Sequence, residues 1–125
     1  MIFGTSRSVR VWACTKSTDL RKGYNGLYGL VKSELGREPL SGDLYLFVNR
    51  RRTSCKILMW DGTGLCIFMK RLERGCFAAL RRDPESGAVR LSSSELALFI
   101  EGCELVGRQA LTPAAIVPRP LSLAM

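Results

Sequence analysis

Residues 44–70 read LYLFV, NRRRTS, CKILMW, DGTG and LCIFMK, three apolar runs separated by two turn signals. Leu44 to Val48 is a short apolar run of the kind buried on both faces of a sheet. Asn49 to Ser54 turns the chain and carries three consecutive arginines. Cys55 to Trp60 is the next strand, Asp61-Gly62-Thr63-Gly64 is a strong turn signal, and Leu65 to Lys70 returns. The pattern predicts a three-stranded antiparallel meander.

Working outward, Arg7 to Cys14 alternates in part, with Val9, Val11 and Ala13 on one side and Arg10 and Trp12 on the other, as in a strand. Ser17 or Thr18 is expected to cap a helix along which Leu20, Tyr24, Leu27, Val31 and Leu35 recur at three or four residues until Gly36. Gly23, Gly26 and Gly29 weaken that helix, and close packing on a sheet is the expected reason. Pro39 to Asp43 reads as a loop. Downstream, Cys76 to Leu80 and Ala88 to Leu91 are predicted to pair as a hairpin across residues 83–87. Ser92 with Glu95 is a capping box that opens a helix through Leu96, Phe99 and Ile100 to about Gly102. Two helices on one antiparallel sheet make an α+β domain, expected over residues 1–107. Residues 108–125 hold three prolines and no acid, which predicts a flexible tail.

The 125 residues are 46% hydrophobic and 24% charged, the balance of one globular domain. The absence of histidine rules out a Ser-His-Asp or Cys-His pair, a His-ligated metal and a histidine proton shuttle. Cys14, Cys55, Cys66, Cys76 and Cys103 are odd in number and never spaced C-x-x-C. They are expected to be reduced thiols in a cytosol, with Cys55, Cys66 and Cys76 filling the core. No apolar run is long enough to span a membrane, and residues 1–10 lack a signal-peptide core. A cytoplasmic location is expected, with no cofactor and no metal.

The formal charge is +8, and 14 of the 19 basic residues are Arg, which favours phosphate or carboxylate partners. Residues 50–82 hold nine bases against two acids. In a meander the turn at Arg50 to Arg52 and the end of the strand at Lys70 and Arg71 share one edge. These charges, with Trp60, Phe68 and Phe77 among them, are expected to form a patch that neutralises nucleic-acid phosphates. The plain alternative is a solvated basic face. A second candidate is Thr18 to Gly23, where Arg21 and Lys22 in the first turn of a helix would receive an anion; its alternative is that Arg21 simply pairs with Asp19. Asp19, Asp61, Glu73 and Glu101 are the candidate carboxylates for a two-metal nuclease, but Asp61 reads as a turn residue and Glu73 as the partner of an arginine. The cysteines and serines lack a general base within sequence reach. Without histidine, Tyr24, Tyr28 and Tyr45 read as packing residues.

Three blocks, TDLRKGYNGL at 18–27, KILMWDGTGL at 56–65 and KRLERGCF at 70–77, resemble in order and spacing the small TnpB accessory protein of the insertion-sequence-66 family of bacterial transposons. The resemblance extends from about Val9 to Gly102. It implies an accessory of transposition, encoded beside a separate, larger transposase that carries strand cleavage and joining, and it assigns no catalytic residue. Asp19, Arg21, Lys22, Gly23, Lys56, Trp60, Asp61, Gly62, Gly64, Lys70, Arg71, Leu72, Glu73 and Gly75 match the family pattern. The segment from Glu104 to Met125 departs from it, lacking the Trp- and Arg-containing ending that the resemblance implies.

The reading that joins charge and resemblance is a non-catalytic DNA-binding accessory that helps the transposase at element ends. Arg21, Lys22, Arg50, Arg51, Arg52, Lys56, Lys70, Arg71 and Arg74 would contact DNA, with Trp60 beside them or stacked on a base. Its rival is a protein-interaction module whose basic face meets an acidic surface of the transposase.

Overall fold

A computed structural model describes residues 8–80 and 87–102. Strands β1 (Val11–Cys14), β2 (Leu44–Val48), β3 (Ser54–Trp60), β4 (Leu65–Arg71) and β5 (Ala88–Leu91) form one sheet in the order β4-β3-β2-β1-β5. The meander has the expected antiparallel pairings, with Tyr45 opposite Leu58 and Ile57 opposite Phe68. β5 runs antiparallel to β1. β1 and β2 are parallel, Val11 beside Leu44, and a parallel neighbour requires a crossover. Helix α1 (Tyr24–Ser33) provides it. The sheet is therefore antiparallel in three of its four junctions, and with α2 (Ser93–Ile100) the domain is the expected α+β type.

The helices lie on opposite faces. Leu27, Val31 and Leu35 pack with Tyr45, Phe47 and Leu58 on one side. Leu96 and Phe99 pack with Val11, Leu44, Leu46, Val48 and Ile57 on the other. Alternate residues of a strand point to opposite faces, so the central strand must be apolar at every position. That is why β2 reads LYLFV, with all five residues buried. The capping box forms with both arms: Glu95 N–H donates to Ser92 Oγ at 3.0 Å and Ser92 N–H to Glu95 Oε1 at 2.8 Å.

The structure departs from the sequence reading at four places. First, the helix begins at Tyr24, with Gly23 at its N-cap and no side-chain cap. The residues expected to start it cross the end of the sheet: Thr18 N–H bonds Val48 O, and Lys22 N–H closes a turn on Asp19 O. Leu20 packs against the α1-side core from this loop, which is how it mimicked a helical position. Second, Cys76 to Leu80 is no strand; Phe77 N–H bonds Arg52 O at 2.6 Å and the segment straps across the α2 face. Its supposed partner β5 pairs with β1 instead, and most of the turn expected between them lies outside the described residues. Third, Cys76 is exposed and Cys66 half-buried, so only Cys55 of that trio is a full core residue. Burial pushes the Cys55 thiol up to about 11, which keeps it protonated and unreactive at neutral pH.

The fourth concerns glycine. A Cβ at Gly26 would press on Lys22 Cβ at 2.9 Å, whereas at Gly23 and Gly29 it would meet open space. Close packing does not explain Gly29. In the exposed interior of α1, glycine lacks the helix propensity of alanine by about 1 kcal/mol. Gly29→Ala is therefore expected to stabilise the protein by about 0.5–1 kcal/mol, read as a higher urea midpoint at unchanged slope. An unchanged or lowered midpoint would mean that position 29 meets a constraint outside these contacts. Cys103 and residues 108–125 lie outside the described residues, and among those described no helix is long and apolar enough to cross a membrane.

Candidate nucleic-acid interface

The turn from β2 to β3 is held by its own polar groups. Asn49 N–H bonds Ser54 O, Arg52 N–H bonds Asn49 O, and Asn49 Oδ1 accepts from both Thr53 N–H and Ser54 N–H at 2.9 and 3.1 Å. Arg52 takes the left-handed conformation, φ 59°, sparsely populated for a residue with a side chain. Two contacts with the strap hold it there: Phe77 N–H on Arg52 O, and Arg52 Nη1 on Phe77 O at 3.3 Å. Arg50 and Arg51 are left at the tip, exposed and with no side-chain partner among the described residues. A tip fixed in this way presents two guanidinium groups from a rigid backbone, so little ordering is required when an anion binds.

The other basic residues divide by position. Arg71 stands opposite Ser54, at the tip end of the sheet, and pairs with Glu73 at 3.3 Å. Arg74 follows in the exposed turn after β4, also without a side-chain partner among the described residues. Arg21 lies across from the tip. Residues 17–21 of the loop before α1, residues 49–51 and Ser54 of the tip, and Met69 of β4 together line an open depression of about 570 Å³. Arg21 is held by Asp19 in a bidentate pair with a shortest contact of 2.7 Å. Those hydrogen bonds keep the Asp19 carboxyl well below the usual carboxylate range and raise Arg21. Because the helix starts only at Tyr24, Arg21 and Lys22 are not in its first turn and the anion site expected there does not form.

Three named residues have structural contacts or stand elsewhere. Lys56 Nζ donates to Lys22 O at 2.9 Å, tying the loop before α1 to β3. Lys70 points to the α2 face, where Nζ caps Ile100 O at 2.9 Å. Trp60 pairs with Leu65 at the far end of β3, six residues from Ser54 or about 20 Å at strand rise. Phe77 is fully buried and stacks on Phe99 with ring centroids 4.8 Å apart, and Phe68 packs on the same core. The aromatics are thus not interleaved with the tip arginines. The candidate carboxylates are dispersed: Asp61 Oδ1 accepts from Thr63 and Gly64 N–H within its turn, Glu73 pairs with Arg71, and Glu101 ends α2. Among the described residues no group of three His, Cys, Asp or Glu stands where it would hold a metal.

The sequence reading placed Asn49 and Ser54 in the turn, Phe77 in the patch and Ser17 or Thr18 at a helix start, but missed that Asn49 and Phe77 brace the tip and that Ser17, Thr18 and Ser54 line the depression. Asn before a run of polar residues is the signal for Asn49; nothing local announces Phe77. It also missed that Trp12 is covered by Arg37, 3.5 Å from the ring centroid, with Arg90 at 5.9 Å and Asp43 accepting from Nε1.

The flanks of the tip, Arg21 on one side and Arg71 with Arg74 on the other, fall within the blocks that carried the resemblance, and the tip itself lies between two of those blocks. The profile of a family described as IS66 Orf2 like protein matches residues 9–110. The chain belongs to this family. Its members are transposition-associated accessory proteins, and the match covers every described residue but Ser8. The uncharacterized protein y4hO of Sinorhizobium fredii is 36% identical over 100 residues, covering 80% of this chain and 85% of its own length. The uncharacterized protein y4jC of the same organism is 34% identical over 103 residues, covering 82% and 86%. No solved structure matches the chain.

Proposed function

We propose that this IS66 Orf2-like protein is a non-catalytic accessory that binds duplex DNA through phosphates at the β2–β3 tip and assists the separate transposase of its element. The observation that carries the reading is the pair Arg50 and Arg51, unpartnered among the described residues and held on a pre-formed turn beside an open depression. Arg71, Arg74 and Arg21 flank them, while the stem of Lys22 lies beside Gly26 at the start of α1. Arg52, Lys56 and Lys70 spend their donors on backbone carbonyls and support the edge. Guanidinium suits the task because it meets a phosphate with two parallel N–H bonds. Contacts of this kind position a protein on DNA without reading sequence, so any preference for element ends would come from DNA shape or from the transposase.

Such binding releases counterions. With about four phosphates neutralised, the logarithm of the affinity is expected to fall with the logarithm of salt at a slope near −3.6, about −0.9 per phosphate. Fluorescence anisotropy of a labelled duplex titrated at increasing salt measures the slope. A flat dependence would contradict a phosphate-based interface. A complex with the transposase that survives high salt, without binding to naked DNA, would favour the protein-interaction reading.

A further inference from the structure

We propose that β4 is a self-pairing edge: two copies of this chain join antiparallel along residues 65–71, fusing two five-stranded sheets into one. The sheet has two edges, and they differ. β5 is four residues long with exposed Arg90 within it, a short and charged edge of the kind that resists pairing. β4 is seven residues long and reads LCIFMKR, with no proline, no glycine and no charge before Lys70. Met69 on it is 53% exposed.

The hydrogen-bond phase identifies which groups are open. Asp61 N–H bonds Gly64 O at one end of the β3–β4 ladder and Leu72 N–H bonds Thr53 O at the other. Antiparallel bonded pairs recur at every second residue, so Cys66, Phe68 and Lys70 turn their backbone groups to β3. Leu65, Ile67, Met69 and Arg71 turn theirs outward, and these groups find no partner among the described residues. The set is self-complementary. In one two-fold register, Leu65 pairs with the partner's Arg71 and Ile67 with the partner's Met69, and all four outward residues of each copy bond at once.

Side chains and charge agree with that register. Directly paired residues share a face, so Ile67 and Met69 of both copies merge into one apolar strip on the α1 side that covers Met69, and at each end of it Leu65 lies beside the partner's Arg71. Lys70, Arg71 and Arg74 stand at the C-terminal end of β4 and Asp61 in the turn at its N-terminal end. Antiparallel pairing brings the basic end of one strand to the acidic turn of the other and keeps the like charges apart. A strand donated by an unrelated protein has no such match built in.

Sedimentation velocity of the full chain, with amide exchange read residue by residue, tests the proposal. The expected species at high concentration has twice the 13.9 kDa mass of one chain, and its formation slows exchange at Leu65, Ile67, Met69 and Arg71. Met69→Pro removes an N–H that bonds nothing inside the sheet, so it is expected to leave the fold and give a monomer. Met69→Lys, which places a charge in the apolar strip, is the second variant should proline perturb the strand. A wild-type monomer at all concentrations, a dimer that survives either folded variant, or protection of β4 that arises only when transposase is added would each overturn it.

Discussion

Replacing both tip arginines with glutamate, Arg50→Glu with Arg51→Glu, is expected to weaken duplex binding by two orders of magnitude or more while the protein stays folded. Two charge-assisted bonds, each worth about 1.5 kcal/mol, account for roughly a hundredfold, and the reversed charges add repulsion. The fold is expected to tolerate the change because both side chains are exposed and bond nothing among the described residues. The turn itself is held by Asn49 and by Arg52 with Phe77. Anisotropy titrations at low salt read the affinity and circular dichroism reads the fold. The salt slope is expected to become shallower by about one for each phosphate that is no longer neutralised. The same double change made at Arg37 and Arg90, which lie against Trp12, serves as the control with the same charge change. Equal effects of the two variants would mean that net charge, rather than the tip, drives binding.

Phe77→Ala is expected to have the largest effect on stability, about 3–5 kcal/mol. Its ring is fully buried and stacks on Phe99 at 4.8 Å, so truncation removes a large apolar surface and leaves a cavity between the strap and α2. Domains of this kind hold about 5–15 kcal/mol in all, so the variant stands close to unfolding, and urea denaturation measures the shift. Phe99→Ala is expected to cost a similar amount. The double variant should cost less than the sum, because both substitutions remove the same stack. Phe77 also anchors Arg52 through two backbone contacts, so loosening it is expected to loosen the tip. A destabilisation below about 1 kcal/mol would contradict the packing of the strap against α2.

The sequence reading succeeded where a local pattern has one solution. LYLFV is apolar at every position because β2 is covered on both faces, and DGTG returns the chain because Asp61 satisfies its own turn. Ser92 and Glu95 form their box from neighbouring residues. It failed where tertiary bonds overrule the pattern. Thr18 looks like a helix cap, yet its N–H is taken by Val48 O, 30 positions along the chain. Residues 76–80 look like a strand, yet Phe77 is drawn to Arg52 and Phe99. The neighbour of β5 is β1 rather than residues 76–80, and strand pairing at long range leaves no mark in the strand itself. For the site, charge counting brought Arg50 to Arg52 and Arg71 to one edge, as the pairing of Ser54 with Arg71 confirms. The count took no account of strand alternation, which turns Lys70 and Arg71 to opposite faces, or of the order of the meander, which puts Trp60 beside the DGTG turn at the far end.

Nuclear magnetic resonance of the arginine Nε–H groups during titration with an element-end duplex reports binding and its location together. The expected result is that the signals of Arg50 and Arg51 move first and furthest, with Arg21, Arg71 and Arg74 following and Arg37 and Arg90 unmoved. Signals that stay fixed at excess duplex in low salt, or that move at Arg37 and Arg90 while the tip stays still, would contradict DNA binding at the β2–β3 tip.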